Sequence, residues 1–265
     1  MKLCTIASGS SGNCTFVGSE HTKLLVDAGI SGKKIENGLE NIEVKPDELQ
    51  GILVTHEHMD HIQGLGVLAR RHHVPIYGTC ETINSILRMK NIGKIPEELL
   101  HYVKPDEAFL INDITVEPFS TSHDASNPVC YTLSADGHKV GMATDLGKFD
   151  EYIISKLTGS EILLLEANHD ENMLMVGAYP YYLKQRIIGE KGHLSNETSA
   201  KLISRLFHNK LKFITLGHLS KENNYEELAY ETVRMELNKV LDDRHSGLML
   251  SVARREIPSE ILSTT

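Results

Sequence analysis

The stretch Gly51-Ile52-Leu53-Val54-Thr55-His56-Glu57-His58-Met59-Asp60-His61 decides how this chain is read. Its apolar lead-in has the length and composition of a buried strand. The segment from Thr55 to His61 then packs three imidazoles and two carboxylates into seven residues. Neutral imidazoles and a carboxylate are ready ligands for zinc and other first-row cations. A strand placed here would deliver them to the C-terminal edge of a sheet, where open α/β sites form. On an extended segment side chains two apart share a face, so His56 and His58 can clamp one ion. Asp60 and His61 turn the other way and point to a second. A zincin helix is excluded, because the position four after His56 is Asp60 rather than a histidine.

Composition bounds the rest. At 265 residues the chain can bury a large core, and its 40% apolar and 24% charged residues are those of an ordinary globular protein. The formal charge of −9 argues against a broad basic face, although bound dications would reverse the sign locally. No apolar run reaches the length of a membrane span, and the N-terminus lacks the apolar core of a signal peptide. Cys4, Cys14, Cys80 and Cys130 have no CxxC spacing and read as reduced, semi-buried thiols of a cytoplasmic protein.

Outward from the histidine run, Leu3 to Ala7, Cys14 to Val17 and Lys23 to Val26 read as a meander of short strands, followed by a helix from Gly32 to Glu40. Beyond it lie a helix over Leu65 to His72, a strand at Pro75 to Tyr77, and a helix over Thr79 to Met89 capped by Thr79. A second strand-rich stretch covers His101 to Thr144, with a hairpin signal at Asp136-Gly137. A helix over Phe149 to Leu157 leads to the strand Ile162 to Leu165. Met173 to Arg186 reads as two helices broken at Pro180. A helix capped at Ser195, the strand Phe213 to Leu216, a helix from Tyr225 to Leu241 and a strand from Gly247 to Val252 complete the pattern. Two strand-rich halves, each followed by helices, predict two face-to-face sheets with helices outside, in a single domain over 1–257 with 258–265 as a frayed tail.

Further ligand types stand just after strands: Asp27, His123, Asp145 and His218. Any one alone is ordinary; together with the histidine run they converge on one site. The set His56-x-His58-x-Asp60-His61, then His123, Asp145 and His218, with Asp27 upstream, resembles that of the metallo-β-lactamase fold hydrolases over nearly the whole chain. The resemblance implies an α/β fold, an αββα four-layer sandwich with two divalent ions in a cleft at one sheet edge. By this likeness one ion takes His56, His58 and His123, the other takes Asp60, His61 and His218, and Asp145 bridges them, while Asp27 braces a histidine from behind. Histidine-rich N/O sites suit zinc or manganese, and also iron. Such an ion pair activates water and clamps an in-line transition state, with Asp60 placed to orient that water.

Other segments bear on the substrate. The loop Ser8-Gly9-Ser10-Ser11-Gly12-Asn13 is either a phosphate-binding nest, with Ser10 and Asn13 as its polar contacts, or a plain turn. Glu166 ends a strand, and Gly192-His193-Leu194-Ser195 opens a helix whose N-terminus can receive an anionic oxygen. This pairing resembles RNase Z-like phosphodiesterases, which implies that His193, held by Glu166, assists the leaving group; the plain alternative is a local helix-start hydrogen bond. Asn168-His169-Asp170 and Tyr179-Pro180-Tyr181-Tyr182-Leu183-Lys184-Gln185-Arg186 are similar to the YycJ/WalJ family. That likeness implies a 5′-to-3′ exonuclease on double-stranded DNA. Lys184 and Arg186 are then candidates to touch phosphates, and Tyr181 or Tyr182 to stack a base. Two competing expectations are a small-molecule hydrolase of the same fold, acting on a cyclic phosphodiester, thioester or lactone, and a non-catalytic regulatory protein.

Overall fold

The computed structural model describes residues 1–239 and 247–264. Its first sheet starts as the antiparallel strands β1 (Lys2–Ala7), β2 (Cys14–Gly18) and β3 (Lys23–Val26). It continues in parallel through β4 (Gly51–Leu53), β5 (Ile76–Thr79) and β6 (Leu100–Val103). The second sheet is an antiparallel meander of β7 (Phe109–Ile111), β8 (Ile114–Ser120), β9 (Val129–Ala135) and β10 (His138–Ala143). Onto β10 are added, in parallel, β11 (Ile162–Glu166), β12 (Phe213–Gly217) and β13 (Met249–Val252).

Three apolar layers hold these sheets and their helices together. Between the sheets, Leu3, Val17, Leu24 and Leu53 face Val116, Tyr131, Ile162 and Leu164. Outside the first sheet lie α1 (Gly32–Glu40), α3 (Leu65–His72) and α4 (Cys80–Leu87), whose Ile35, Leu68 and Ile86 join Leu25 and Ile52. Outside the second lie α5 (Glu151–Leu157), α8 (Asn196–Leu206) and α9 (Glu226–Leu237), whose Ile153, Leu202 and Val233 join Leu163, Leu165 and Ile214. Successive strand residues point to opposite faces. Leu164 therefore faces the other sheet while Leu163 and Leu165 face the helices, and a strand covered on both sides reads as an unbroken apolar run. The result is the expected αββα sandwich.

Local chemistry sets the element ends. Thr79 caps α4 by accepting the Thr82 N–H, Asp150 caps α5, and Ser195 caps α8. Asp136 and Gly137 both adopt positive φ (52° and 77°), the hairpin turn that the pair favours. Pro180 separates α6 (Glu171–Val176) from α7 (Tyr181–Ile188).

The tail corrects the sequence reading. Instead of fraying, β14 (Leu262–Ser263) pairs with β1, the Thr5 N–H donates to Ser259 Oγ, and buried Thr264 bonds the N-terminal ammonium. Two residues of strand are too short to announce themselves by periodicity. Cys80 is exposed, whereas Cys4, Cys14 and Cys130 are buried. The last helix, expected to reach Leu241, ends at Leu237 with Asn238 as its C-cap, and positions 240 and 241 lie outside the described residues. No helix among the described residues is long and apolar enough to cross a membrane.

Tyr131 ties the sheets together directly beneath the histidine run. It is fully buried, and its hydroxyl donates to the Val54 carbonyl at 2.8 Å. Tyr131→Phe leaves that carbonyl short of a partner and is expected to destabilise the fold by about 1–2 kcal/mol. A lowered urea midpoint with an unchanged m-value would register the loss.

Candidate metal centre

The candidate ligands follow strand ends, and at three acidic or histidine positions the backbone turns sharply. Asp27 follows β3, Asp145 follows β10, and His218 follows β12. Their φ values of 62°, 58° and 55° place all three in the left-handed region. Asp and His tolerate that region better than most side chains, and such conformations gather at functional sites. The histidine run leaves β4 extended through His58, then winds into the single helical turn α2 (Met59–Ile62). His56 and His58 therefore belong to the extended part, while Asp60 and His61 belong to the turn. Gly29 makes room for this turn: a Cβ there would lie 1.6 Å from the Asp60 carbonyl oxygen.

Four of the five imidazoles in the set, all but His58, are oriented from behind. Asp27 accepts from His61 Nδ1 at 2.7 Å, from the Thr55 N–H at 2.9 Å and from the Thr55 hydroxyl. With its one proton committed to Asp27, the Thr55 hydroxyl accepts from His56 Nδ1 at 3.0 Å. His123 Nδ1 donates to the Gly192 carbonyl at 3.2 Å, and His218 Nδ1 donates to Glu166 Oε1 at 2.9 Å. Four protons on Nδ1 leave four Nε2 lone pairs, and these turn inward.

The inward atoms converge. His56, His58 and His123 bring one ring nitrogen each into a single cluster; Asp60, His61 and His218 form a second. Asp145 lies between them, with Oδ2 3.2 Å from His61 Nε2 and Oδ1 3.6 Å from His123 Nε2. Asp60 Oδ2 lies 3.5 Å from His218 Nε2. His56 Nε2, His218 Nε2 and Asp145 Oδ2 are buried without a hydrogen-bond partner. Buried polar atoms are rarely left so, and three that converge on one space fit cations.

The electrostatics agree. Burial works to raise the Asp145 pKa, but the charges of His218, His61 and His56 outweigh it and hold the carboxyl well below its usual range. Burial opposes protonation of His218 too, yet Asp145, Asp60 and Glu166 push its pKa up to about 10. His61 is likewise raised by Asp145 and Asp27 against burial. Burial lowers His56 and His123, keeping both neutral with free lone pairs. The carboxylates thus demand positive charge at the centre, supplied by protons or by cations.

Glu166 does more than the sequence implies. Fully buried, it accepts the Leu146 and Leu194 N–H groups on Oε2, and both His218 and His193 on Oε1. Burial would raise its pKa, but His193 and His218 hold it at about 2. His193, one-fifth exposed, looks onto a cleft of about 160 Å³ lined by Ser10, Tyr179, Leu183 and Arg186.

The remaining candidates are spread out. Ser10 reaches that cleft. Asn13 accepts the Gly9 N–H and lies 3.1 Å from His61 Nε2, which binds the loop to the histidine turn. Ser195 is buried, capping α8 and donating to Glu171. Lys184 donates to the Met175 carbonyl, and Arg186 pairs with Asp124. Thr55 carries no signal in the sequence, because its role exists only once Asp27 and two histidines surround it. Asn168, singled out in the sequence only by family likeness, donates to the His218 carbonyl.

The beta-lactamase superfamily domain matches residues 22–214. The chain belongs to the metallo-β-lactamase superfamily. Within the superfamily it is 42% identical over 232 residues to the exodeoxyribonuclease WalJ of Streptococcus pneumoniae serotype 2 (strain D39), covering 88% of this chain and 86% of that protein. It is 39% identical over 248 residues to the exodeoxyribonuclease YycJ of Bacillus anthracis, covering 94% and 92%. Among solved structures, Zn(2+)-bound PqqB from Methylobacterium extorquens superposes with a TM-score of 0.69 at 16% identity, covering 98% of this chain and all (100%) of that one. At that identity the likeness concerns the superfamily fold, which implies divalent metal ions.

Proposed function

We propose that this protein is a two-metal phosphodiesterase that removes nucleotides from 5′-phosphorylated ends of double-stranded DNA in the cytoplasm. In this reading His56, His58 and His123 hold one divalent ion, Asp60, His61 and His218 hold the other, and Asp145 serves both. Zinc and manganese suit the donor set, and iron is also compatible. Ions held there supply Lewis acidity and lower the pKa of water. The chain's own groups do the rest. Asp60 orients the attacking water, Asp27 and Thr55 fix the imidazole tautomers, and Glu166 aligns His193. His193 delivers a proton to the departing 3′ oxygen.

The observation that carries this reading is the shared Glu166 oxygen. It joins a ligand-set histidine to a partly exposed histidine in a cleft, which suits a reaction whose leaving group needs a proton. The two named exodeoxyribonuclease relatives support DNA as the substrate. Incubation of the metal-loaded protein with end-labelled duplex DNA, beside a thioester and a lactone, tests it. Release of nucleotides from the duplex, stopped by a chelator and restored by zinc or manganese, is expected. Turnover of the thioester or lactone with intact duplex would overturn it.

A further inference from the structure

Lys184 and Arg186, the cations expected from sequence to touch phosphates, already have partners in the structure, so they leave open how an acidic chain grips a polyanion. A second groove, reached from the histidine turn, answers differently. Asn91 Nδ2 meets Met59 Sδ at 3.0 Å, joining the segment after α4 to the histidine turn. Behind that contact runs an open groove of about 1030 Å³ between the ends of α3 and α4 and the chain leading to β6. Arg70, Arg88, Lys90 and Lys94 line it, all exposed.

None of these four cations forms a carboxylate ion pair among the described residues; Arg70 instead donates to the Ile92 and Lys94 carbonyls. This contrasts with Lys23, Arg71, Lys104, Lys148, Lys156 and Arg205, each matched to an acid. Glu97 and Glu98 also line the groove, so its cations outnumber its carboxylates two to one in a chain of net charge −9. Tyr102, 57% exposed, adds an aromatic face. Basic residues at helix C-termini also favour the helix dipole. That accounts for Arg70 at the end of α3 and Arg88 at the end of α4, but not for Lys90 and Lys94 beyond them.

We infer that this groove holds the phosphate backbone of duplex DNA while its end lies at the metal centre. The inference rests on the proposed nuclease reading and gives it a place for the duplex. Unpaired exposed cations release counterions when they meet phosphates, so they contribute affinity that falls steeply with salt.

The test compares wild type with the triple variant R88A/K90A/K94A. Binding to a phosphorothioate duplex is measured across salt concentrations, with turnover of duplex DNA and of bis-p-nitrophenyl phosphate in parallel. The variant is expected to bind about tenfold more weakly, with a log–log salt slope shallower by about 2–3, and to hydrolyse the small phosphodiester normally. An unchanged slope and affinity in the variant overturns the groove, even if the wild type degrades DNA. Conversely, salt-sensitive binding lost in the variant, with no DNA degradation by wild type, leaves the groove standing and sinks the nuclease. A wild type that neither binds nor cuts the duplex removes both. A purely structural role would lower the melting temperature and leave the salt slope untouched.

Discussion

Asp145→Asn is expected to abolish metal-dependent turnover, lowering kcat by more than a hundredfold and reducing the bound metal in the purified protein. The substitution preserves the shape of a fully buried side chain, so the fold should survive it. What changes is charge. Asp145 approaches His61 Nε2 at 3.2 Å, His218 Nδ1 at 3.4 Å and His123 Nε2 at 3.6 Å, so it lies between the two candidate ligand clusters it is proposed to serve. An amide cannot neutralise two dications, and it turns a donor toward a site built from acceptors. Groups that merely orient metal ligands cost about 10–100-fold in affinity when lost, so a shared ligand should cost more. Elemental analysis beside single-turnover kinetics separates failure to bind metal from failure to use it. Wild-type metal content with wild-type turnover would remove Asp145 from the centre.

That Asp145 could be named from sequence reflects what strands do. A run such as Val140 to Thr144 reads as buried by composition alone, and the polar residue after it must sit at a sheet edge. Asp27 and His218 were legible for the same reason, and so were the two sheets. The left-handed backbone that aims all three was not, because it depends on the loops packed behind them. Partnerships were harder still. Ser195 and Lys184 are placed beside a helix start and a basic segment by sequence, yet their polar atoms are taken by Glu171 and the Met175 carbonyl. Glu166 was legible as a partner for His193 by resemblance, but its bond to His218 needs three dimensions: β11 and β12 run in parallel with Glu166 opposite Gly217. β14 escaped because its pairing with β1 spans almost the whole sequence.

His193→Ala and Glu166→Gln should fail in different ways, and the difference follows from one oxygen atom. Glu166 Oε1 lies 2.7 Å from His193 Nδ1 and 2.9 Å from His218 Nδ1. Removing the His193 imidazole leaves His218 anchored, so bound metal should be unchanged. Turnover of DNA should fall by about 10²–10⁴-fold, the range for a positioned general acid. A p-nitrophenolate leaving group departs without protonation, so the same variant should hydrolyse bis-p-nitrophenyl phosphate nearly as fast as wild type. Glu166→Gln loses charge at both imidazoles. It should depress both substrates together and lower bound metal by about 10–100-fold in affinity, as expected for a group that orients a ligand. Equal losses on both substrates in His193→Ala would place that residue among the substrate-positioning or structural groups. Selective loss on DNA assigns it the proton, because only a poor leaving group distinguishes an acid from a bystander.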